Sequence, residues 1–272
     1  MKVHSPRFVE LIALVALGAA ACGSPTVTPT PQPVPPPVEA PRVTAPAKTV
    51  EPERPAAPRS RKLPNDIHWF RASAEYRALA RQAYTVAGDR LPILAKGLRK
   101  KSWAVILDAD ETVLDNSEYQ RRRYVLDSGY TDASWENWVN EKAARAIPGA
   151  AEFTKRVHTL GGRVAIVTNR SELQCEATRT NLRSVGIETD IVLCQPLKER
   201  DKNPRFHHVQ SGTAVPGMPA LTVVEWIGDN ITDFPGMSQI ARSEPAALAG
   251  FGKRYFMLPN PMYGSWEANR DP

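Results

Sequence analysis

The chain has 272 residues, of which 42% are hydrophobic, and a formal net charge of +6 at pH 7. This length and apolar content allow one substantial hydrophobic core in one or two domains, which excludes a chain that is disordered throughout. The basic charge suits anionic small substrates or an anionic surface, but no DNA- or RNA-binding motif accompanies it, so no nucleic-acid polymer is expected as a partner.

Residues 1–21 are predicted to be a secretory signal peptide, because two basic residues precede a short apolar run that ends in small residues. Small residues before Cys22 resemble the bacterial lipoprotein signal, in which that cysteine becomes lipidated. The alternative is an ordinary cleaved signal with an incidental cysteine. Ser24 after Gly23 resembles the outer-membrane sorting pattern. The sequence therefore predicts a cell-envelope protein whose lipid anchor at Cys22 holds it to the bacterial outer membrane.

Residues 22–64 are predicted to be a disordered tether. They contain 13 of the 25 prolines and no Phe, Trp or Tyr. Such a segment cannot bury enough apolar surface to offset its ordering entropy. The folded domain is therefore expected to comprise residues 65–272.

The domain is predicted to open with a helix from about Asp66, because apolar and aromatic residues recur there at helical spacing. Its apolar face is predicted from Trp69, Phe70, Ser73, Tyr76, Leu79, Ala80, Ala83 and Tyr84. Later helices are predicted from Pro148 to Gly161–Gly162 and from Ser171 to Gly186.

Five short apolar runs are predicted to be strands, and they alternate with the helices. They cover residues 103–107, 163–167, 190–194, 221–227 and 254–258. This alternation indicates an α/β fold with a parallel sheet covered by helices on both faces. Residues 115–146 interrupt it with many charges and several aromatic residues, and they are predicted to form a small helical insertion after the first strand.

Polar side chains follow four of these strands, at the point where each strand ends. Ligands of an open parallel sheet bind beyond the carboxyl ends of its strands, so these side chains are expected to share one cleft. In chain order they are Asp108, Asp110 and Thr112; Thr168, Asn169 and Arg170; Lys198 and Lys202; and Asp229, Asn230 and Asp233.

This combination predicts phosphoryl transfer through an aspartyl-phosphate. Asp108 is the predicted nucleophile, since a carboxylate is ionised at neutral pH and needs no activating base. Asp110 lies on the same side of an extended chain and is the predicted acid and base. Several carboxylates in one cleft require a cation, and Mg²⁺ is expected because it prefers oxygen ligands. Thr168 and a lysine would bind the other phosphoryl oxygens.

The same motifs resemble a known family. "DADET", "VTNR", the lysine loop and "GDNITDF" resemble the four motifs of the haloacid dehalogenase (HAD) superfamily. "WFRASAEYRALARQAY", "DADETVLDNSEYQ", "AIPGAAEF" and "LPNPMYGSWE" are similar to the class C bacterial acid phosphatases, the family of the outer-membrane lipoprotein e acid phosphatase and 5′-nucleotidase. The resemblance implies a HAD-like Rossmannoid parallel sheet with the insertion as a small cap, and an acid phosphatase or 5′-nucleotidase.

The resemblance also implies roles for individual residues. Mg²⁺ would be held by Asp108, the main-chain carbonyl of Asp110 and Asp229, with Asp233 supporting the site.

Thr168 and Asn169 match the phosphate-binding second motif of the superfamily. The third motif offers Lys198 or Lys202, and its spacing does not decide between them. Lys202 is the predicted motif lysine.

Tyr130 and Tyr263 match two aromatic rings that sandwich the substrate base in the family's nucleotidases. Because stacking tolerates many bases, nucleoside monophosphates, including nicotinamide mononucleotide, are the implied substrates. The family's dimers suggest a homodimer, which nothing else in the chain requires.

Two rival functions and one structural alternative stay open at this point. A catalytically idle lipoprotein that binds a nucleotide or a haem-like ligand should have lost at least one key carboxylate or the lysine, and none is missing. A phosphotransferase would use the same residues with an alcohol in place of water. Cys175 and Cys194 could form a disulfide or remain two separate thiols.

Overall fold

The computed structural model describes residues 62–270 of the protein. The predicted signal peptide, the lipidation residue Cys22 and most of the predicted tether lie outside the described residues. Within residues 62–270, no helix has both the length and the apolar character needed to cross a membrane.

Strands and helices alternate along most of the described chain. The strands are β1 (Trp103–Leu107), β2 (Leu114–Asp115), β3 (Arg145–Ala146), β4 (Arg163–Ser171), β5 (Ile191–Gln195), β6 (Thr222–Gly228) and β7 (Tyr255–Met257). The α-helices are α1 (Asn65–Ala72), α2 (Ala74–Leu94), α3 (Ser117–Val125), α4 (Asp132–Glu141), α5 (Ala150–Thr159), α6 (Cys175–Ser184) and α7 (Asn203–Ser211).

The main sheet has five parallel strands in the order β5-β4-β1-β6-β7, so β1 is the central strand. All five residues of β1 are buried, as expected for a strand covered on both faces. Val105 and Leu107 face a core that includes residues of α2 and α5, whereas Ala104 and Ile106 face a second core that includes residues of α7. The predicted α/β class and the predicted strands are confirmed, and the carboxyl ends of β1, β4, β5 and β6 lie at one edge.

The predicted opening helix is in fact two helices, α1 and α2. Ser73 breaks them with an extended backbone, and its hydroxyl accepts a hydrogen bond from the Tyr76 amide at 3.0 Å as the N-cap of α2. Leu79 was wrongly assigned to the apolar face, since it is exposed while Ala80 and Tyr84 are buried. The buried stripe repeats four residues apart, and Leu79 lies to one side of it.

The predicted insertion is confirmed as a small cap after β1. Strands β2 and β3 pair antiparallel and close its base, with α3 and α4 between them. The ring centroids of Tyr119 and Trp135 are 5.1 Å apart, and those of Tyr119 and Trp138 are 6.4 Å apart. The cap therefore has an aromatic core of its own.

Cys175 and Cys194 form a disulfide, with their Cα atoms 5.8 Å apart. It joins the start of α6 to the end of β5. The segment before α6 and the loop after β5 both lie at the edge where the polar side chains are, so the disulfide restrains both segments. A structural disulfide is typical of exported proteins.

Glu225 is a buried acidic residue in the middle of β6. Strand β6 has one extra residue relative to β1, so the register of their pairing shifts after Ala104. Val105, the next residue of β1, lies opposite Glu225. Neither carboxylate oxygen of Glu225 has a hydrogen-bond partner in the described part of the chain. Burial raises the pKa of Glu225 to about 9, although the charge of Arg90 opposes the shift.

We predict that Glu225→Gln stabilises the protein at neutral pH. The folded state keeps a proton that the unfolded chain releases above a pKa of 4.5, so the wild type loses stability as pH rises from 4.5 towards 9. The gain in unfolding free energy should be about 3 kcal/mol near pH 7 and should vanish near pH 4. Denaturant unfolding at both pH values measures it, with exposed Glu136→Gln as the matched control. Equal stability of Glu225→Gln and wild type at pH 7 would contradict the prediction.

Candidate active site

The loop after β1 turns two neighbouring aspartates towards different surroundings. The Asp108 amide continues the sheet by donating to the Ile227 carbonyl at 3.0 Å. The chain then turns tightly, with Glu111 in the left-handed region at a φ of 53°. The Glu111 carboxylate accepts the Asn116 amide at 2.8 Å, which holds this turn closed. The Asp108 carboxylate contacts Lys202, and the Asp110 carboxylate contacts Arg170.

Asp108, Asp229 and Asp233 form an acidic cluster at the carboxyl ends of β1 and β6. Each offers one carboxylate oxygen, and these oxygens lie within 4.8 Å of one another. Gly228 makes this close approach feasible, because a Cβ there would collide with the Asp233 side chain. The structure thus brings together side chains that are more than one hundred positions apart in the sequence.

Lys202 lies inside the acidic cluster. Its Nζ donates to Asp108 Oδ1 at 2.5 Å and to Asp233 Oδ1 at 2.7 Å, and the side chain is buried. Lys202 immediately precedes α7, a helix that was not predicted because its sequence is short and mostly polar. Lys198, the other candidate, is exposed on the loop before it. Of the two lysines, Lys202 is therefore the one that contacts the cluster.

The cluster carries more negative charge than its lysine can neutralise. Burial, with the charges of Asp233 and Asp110, raises the pKa of Asp108 to about 7 despite Lys202. Desolvation, with Asp233 and Asp108 nearby, raises the pKa of Asp229 well above its usual range. Burial opposes the charge of Lys202, yet the attraction of Asp108 and Asp233 outweighs it and raises the Lys202 pKa. Three carboxylates around one ammonium group fit a divalent cation that takes oxygen ligands.

Two neutral donors orient Asp229. Thr112 Oγ1 donates to its Oδ1 at 3.0 Å, and Asn260 Nδ2 donates to its Oδ2 at 2.8 Å. Partners of this kind fix a carboxylate for metal binding without neutralising it. Asn260 was missed as a site residue, although it lies in the family-like stretch "LPNPMYGSWE".

The hydrogen-bond partners of Asp110 are not those of the acidic cluster. Arg170 donates to it through Nε at 2.9 Å and Nη2 at 2.7 Å, and Asn116 Nδ2 donates to it at 2.8 Å. The two aspartates of the first motif therefore have different partners, one an ammonium group and the other a guanidinium and an amide. Such a difference of surroundings is how neighbouring carboxylates acquire different roles. Arg170 was predicted to lie at this edge, but its contact with Asp110 was not predicted.

Thr168 and Asn169 were predicted to follow a strand, but they lie within β4 near its carboxyl end, because the strand continues to Ser171. Arg205 of α7 holds them in place. Arg205 Nη1 donates to the Thr168 carbonyl at 2.5 Å, and Nη2 donates to Asn169 Oδ1 at 2.6 Å. Arg205 is buried and lies one helical turn after Lys202. The lysine of the cluster and the arginine that positions the end of β4 therefore lie within one turn of the start of α7. Arg205 was missed because its role depends on α7, which the sequence pattern did not predict.

The two predicted aromatic residues lie on different parts of the molecule. Tyr130 is on the cap, 62% exposed, with its ring 6.4 Å from that of Trp135. Tyr263 is half-buried in the segment after β7, which is tied to the acidic loop by Ser265 Oγ donating to Asn230 Oδ1 at 2.7 Å. Their rings make no contact with each other in the described part of the chain.

Comparison with known proteins agrees with this geometry. Residues 43–266 match the family model described as HAD superfamily, subfamily IIIB (acid phosphatase). The chain belongs to this family of acid phosphatases. A class C acid phosphatase from Bacillus anthracis, with tungstate bound, has a similar structure with a TM-score of 0.67 and 33% sequence identity, covering 74% of this chain and 85% of that one.

Two plant proteins are more distantly related to this chain. Acid phosphatase 1 from Solanum lycopersicum is 28% identical over 160 residues, 58% of this chain and 57% of that protein. The stem 28 kDa glycoprotein of Glycine max is 24% identical over 199 residues, 72% of this chain and 71% of that protein. The chain thus spans a little over half the length of the tomato enzyme.

We predict that Arg205→Lys weakens phosphate binding. Lysine keeps the charge but lacks the planar fork that reaches the Thr168 carbonyl and Asn169 together. Because a charged hydrogen bond is worth about 1.5–3 kcal/mol, the competitive inhibition constant of orthophosphate should rise roughly tenfold or more.

Inhibition of p-nitrophenyl phosphate hydrolysis measures this constant, and exposed Arg183→Lys on α6 is the matched control. A correctly folded Arg205→Lys variant with wild-type inhibition by orthophosphate would refute the role given to Arg205.

Proposed function

We propose that the protein is a Mg²⁺-dependent phosphomonoesterase that works through an aspartyl-phosphate on Asp108. The observation that carries this proposal is the cluster of Asp108, Asp229 and Asp233 around Lys202 at the carboxyl ends of β1 and β6. Membership of the acid phosphatase family supports the same reaction class.

Asp108 and Asp229 are the side chains that would hold Mg²⁺, together with the main-chain carbonyl of Asp110, and Asp233 would support the site. Bound Mg²⁺ would supply positive charge to the carboxylates and to the phosphoryl oxygens. The orientation of Asp229 by Thr112 and Asn260 supports this assignment, since neutral donors leave its charge available to a cation.

In the first step, an oxygen of Asp108 forms a bond to phosphorus while the bond from phosphorus to the leaving oxygen breaks. Asp110 gives its proton to that oxygen, which departs as an alcohol. Thr168 and Lys202 hydrogen bond to the phosphoryl oxygens and stabilise the charge that they carry.

In the second step, Asp110, now ionised, takes a proton from a water molecule as the water oxygen attacks phosphorus. The bond between phosphorus and Asp108 breaks, and orthophosphate leaves. Asp110 has regained its proton, so the cycle is balanced.

The substrate class that we propose is the 5′-nucleotides. Tyr130 on the cap and Tyr263 after β7 lie on separate elements, and each presents an aromatic ring that is at least partly exposed. Because every base has a π-face, stacking on these rings would favour nucleoside monophosphates with little base preference.

We further propose that the enzyme is anchored to the bacterial outer membrane through a lipid on Cys22 and acts as a homodimer. The basis for the anchor is the signal-like start and the proline-rich segment of the sequence. The disulfide between Cys175 and Cys194 supports an oxidising compartment. The dimer rests on the resemblance to class C acid phosphatases.

An activity assay with p-nitrophenyl phosphate and 5′-nucleotides, with and without EDTA, tests the proposal. Wild type should release phosphate, and EDTA should abolish release until Mg²⁺ is restored. Asp108→Asn should lose activity by at least about a thousandfold, because it removes the nucleophile. Asp89→Asn, the same change at an exposed position of α2, should retain activity.

Wild-type activity in Asp108→Asn would refute the nucleophile, and activity that EDTA leaves unchanged would refute the metal. Failure of the wild type to release phosphate from any substrate would favour the idle ligand-binding protein. Adding a nucleoside acceptor separates the remaining alternative, because a phosphotransferase would place the phosphoryl group on the acceptor in preference to water.

A further inference from the structure

Arg170 makes the strongest contact with Asp110 in the described part of the chain. Its guanidinium donates to Asp110 through Nε at 2.9 Å and through Nη2 at 2.7 Å. The Arg170 side chain is 1% exposed, and that of Asp110 is 19% exposed. A paired guanidinium and carboxylate of this kind is a rigid contact, because the planar fork restricts the rotation of both groups.

The guanidinium is itself fixed by three other elements. Arg170 Nη1 donates to Thr178 Oγ1 of α6 at 3.3 Å, and Nη2 donates to Asn116 Oδ1 at 3.1 Å. The Trp135 ring of the cap lies over the guanidinium, 5.4 Å from its carbon to the ring centroid. Arg170 therefore has little freedom to follow Asp110 if the carboxylate rotates.

Asn116, the second partner of Asp110, is also anchored to the cap. Its Oδ1 accepts a hydrogen bond from Trp138 Nε1 at 2.8 Å, while its Nδ2 donates to Asp110. Both groups that orient Asp110 thus contact a cap tryptophan, Trp135 in one case and Trp138 in the other. The direction of the Asp110 carboxylate consequently depends on the packing of the cap against the end of β4.

We propose that Arg170 is a positioning residue that directs Asp110 to the leaving-group oxygen. The inference rests on the proposed function, in which Asp110 is the acid. Without Arg170, the carboxylate would keep Asn116 as a partner and could rotate towards the cation site at Asp108 and Asp229. General acid catalysis requires the proton donor to be within hydrogen-bonding distance of the oxygen that it protonates, so a rotated Asp110 would not serve.

The test compares two leaving groups in Arg170→Lys and Arg170→Gln. An alkyl phosphate needs protonation of its leaving oxygen, whereas p-nitrophenolate departs as a stable anion. The test quantity is kcat/KM for the alkyl phosphate divided by kcat/KM for p-nitrophenyl phosphate. Because kcat/KM covers the steps up to leaving-group departure, this ratio reports how well the enzyme protonates the leaving oxygen. The ratio should fall by about tenfold or more in both variants, within the range that general acid catalysis contributes.

Asp110→Asn sets the reference, because it removes the acid and should lower the ratio further, by roughly a hundredfold or more. An unchanged ratio in Asp110→Asn would refute the proposed acid. An unchanged ratio in the Arg170 variants, alongside a lowered ratio in Asp110→Asn, would refute the role of Arg170 alone.

Arg163→Gln is the matched control. It removes an arginine that bonds to Asp190 at 3.1 Å at the opposite end of β4, so the ratio should stay at the wild-type value whatever the effect on stability. If the Arg170 variants fail to fold, Trp135→Leu is tested in their place. It removes the ring above Arg170 and should lower the same ratio by a smaller factor. A folded Trp135→Leu variant with the wild-type ratio would then overturn the proposal.

Discussion

The close approach of three carboxylates, two of them buried, at one edge of the sheet is the constraint on which the site depends. Asp108, Asp229 and Asp233 come within 4.8 Å of one another, and Lys202 supplies one compensating charge. Burying ionised groups is costly unless they are paired, and the raised pKa of Asp108, at about 7, expresses that cost. The surrounding chain maintains the cluster nevertheless, with Gly228 giving space to Asp233. A site that concentrates negative charge in this way is suited to a divalent cation and to the phosphate that the cation attracts.

The loop after β1 separates two carboxylates that are two residues apart. Asp108 contacts Lys202, whereas Asp110 contacts Arg170 and Asn116. In the proposed mechanism, this separation lets one carboxylate attack phosphorus while the other transfers protons. The left-handed turn at Glu111 follows directly, and it brings Asn116, a partner of Asp110, back to the loop.

Sequence patterns predicted the parts of the molecule that local physics determines. Buried parallel strands are short apolar runs, and their ends are the expected ligand edge, so the positions of Asp108, Thr168 and Asp229 at that edge followed from the strands. Helix α7 was not predicted, because Phe206 and Val209 give it too little apolar periodicity. Arg205 was missed with it, since its acceptors are more than thirty positions away and no spacing relates them. The break at Ser73 was missed because an N-cap inside a continuous apolar pattern resembles an ordinary helical serine.

The binding of Mg²⁺ to the metal-free protein, followed by thermal or denaturant unfolding, tests the central claim most directly. If the acidic cluster holds one divalent ion, the unfolding free energy should rise with Mg²⁺ concentration, by about 1.4 kcal/mol per tenfold above the dissociation constant. Asp229→Asn should lose this response, and exposed Asp89→Asn should keep it. A wild type that Mg²⁺ does not stabilise, or an Asp229→Asn variant that it stabilises equally, would contradict the account.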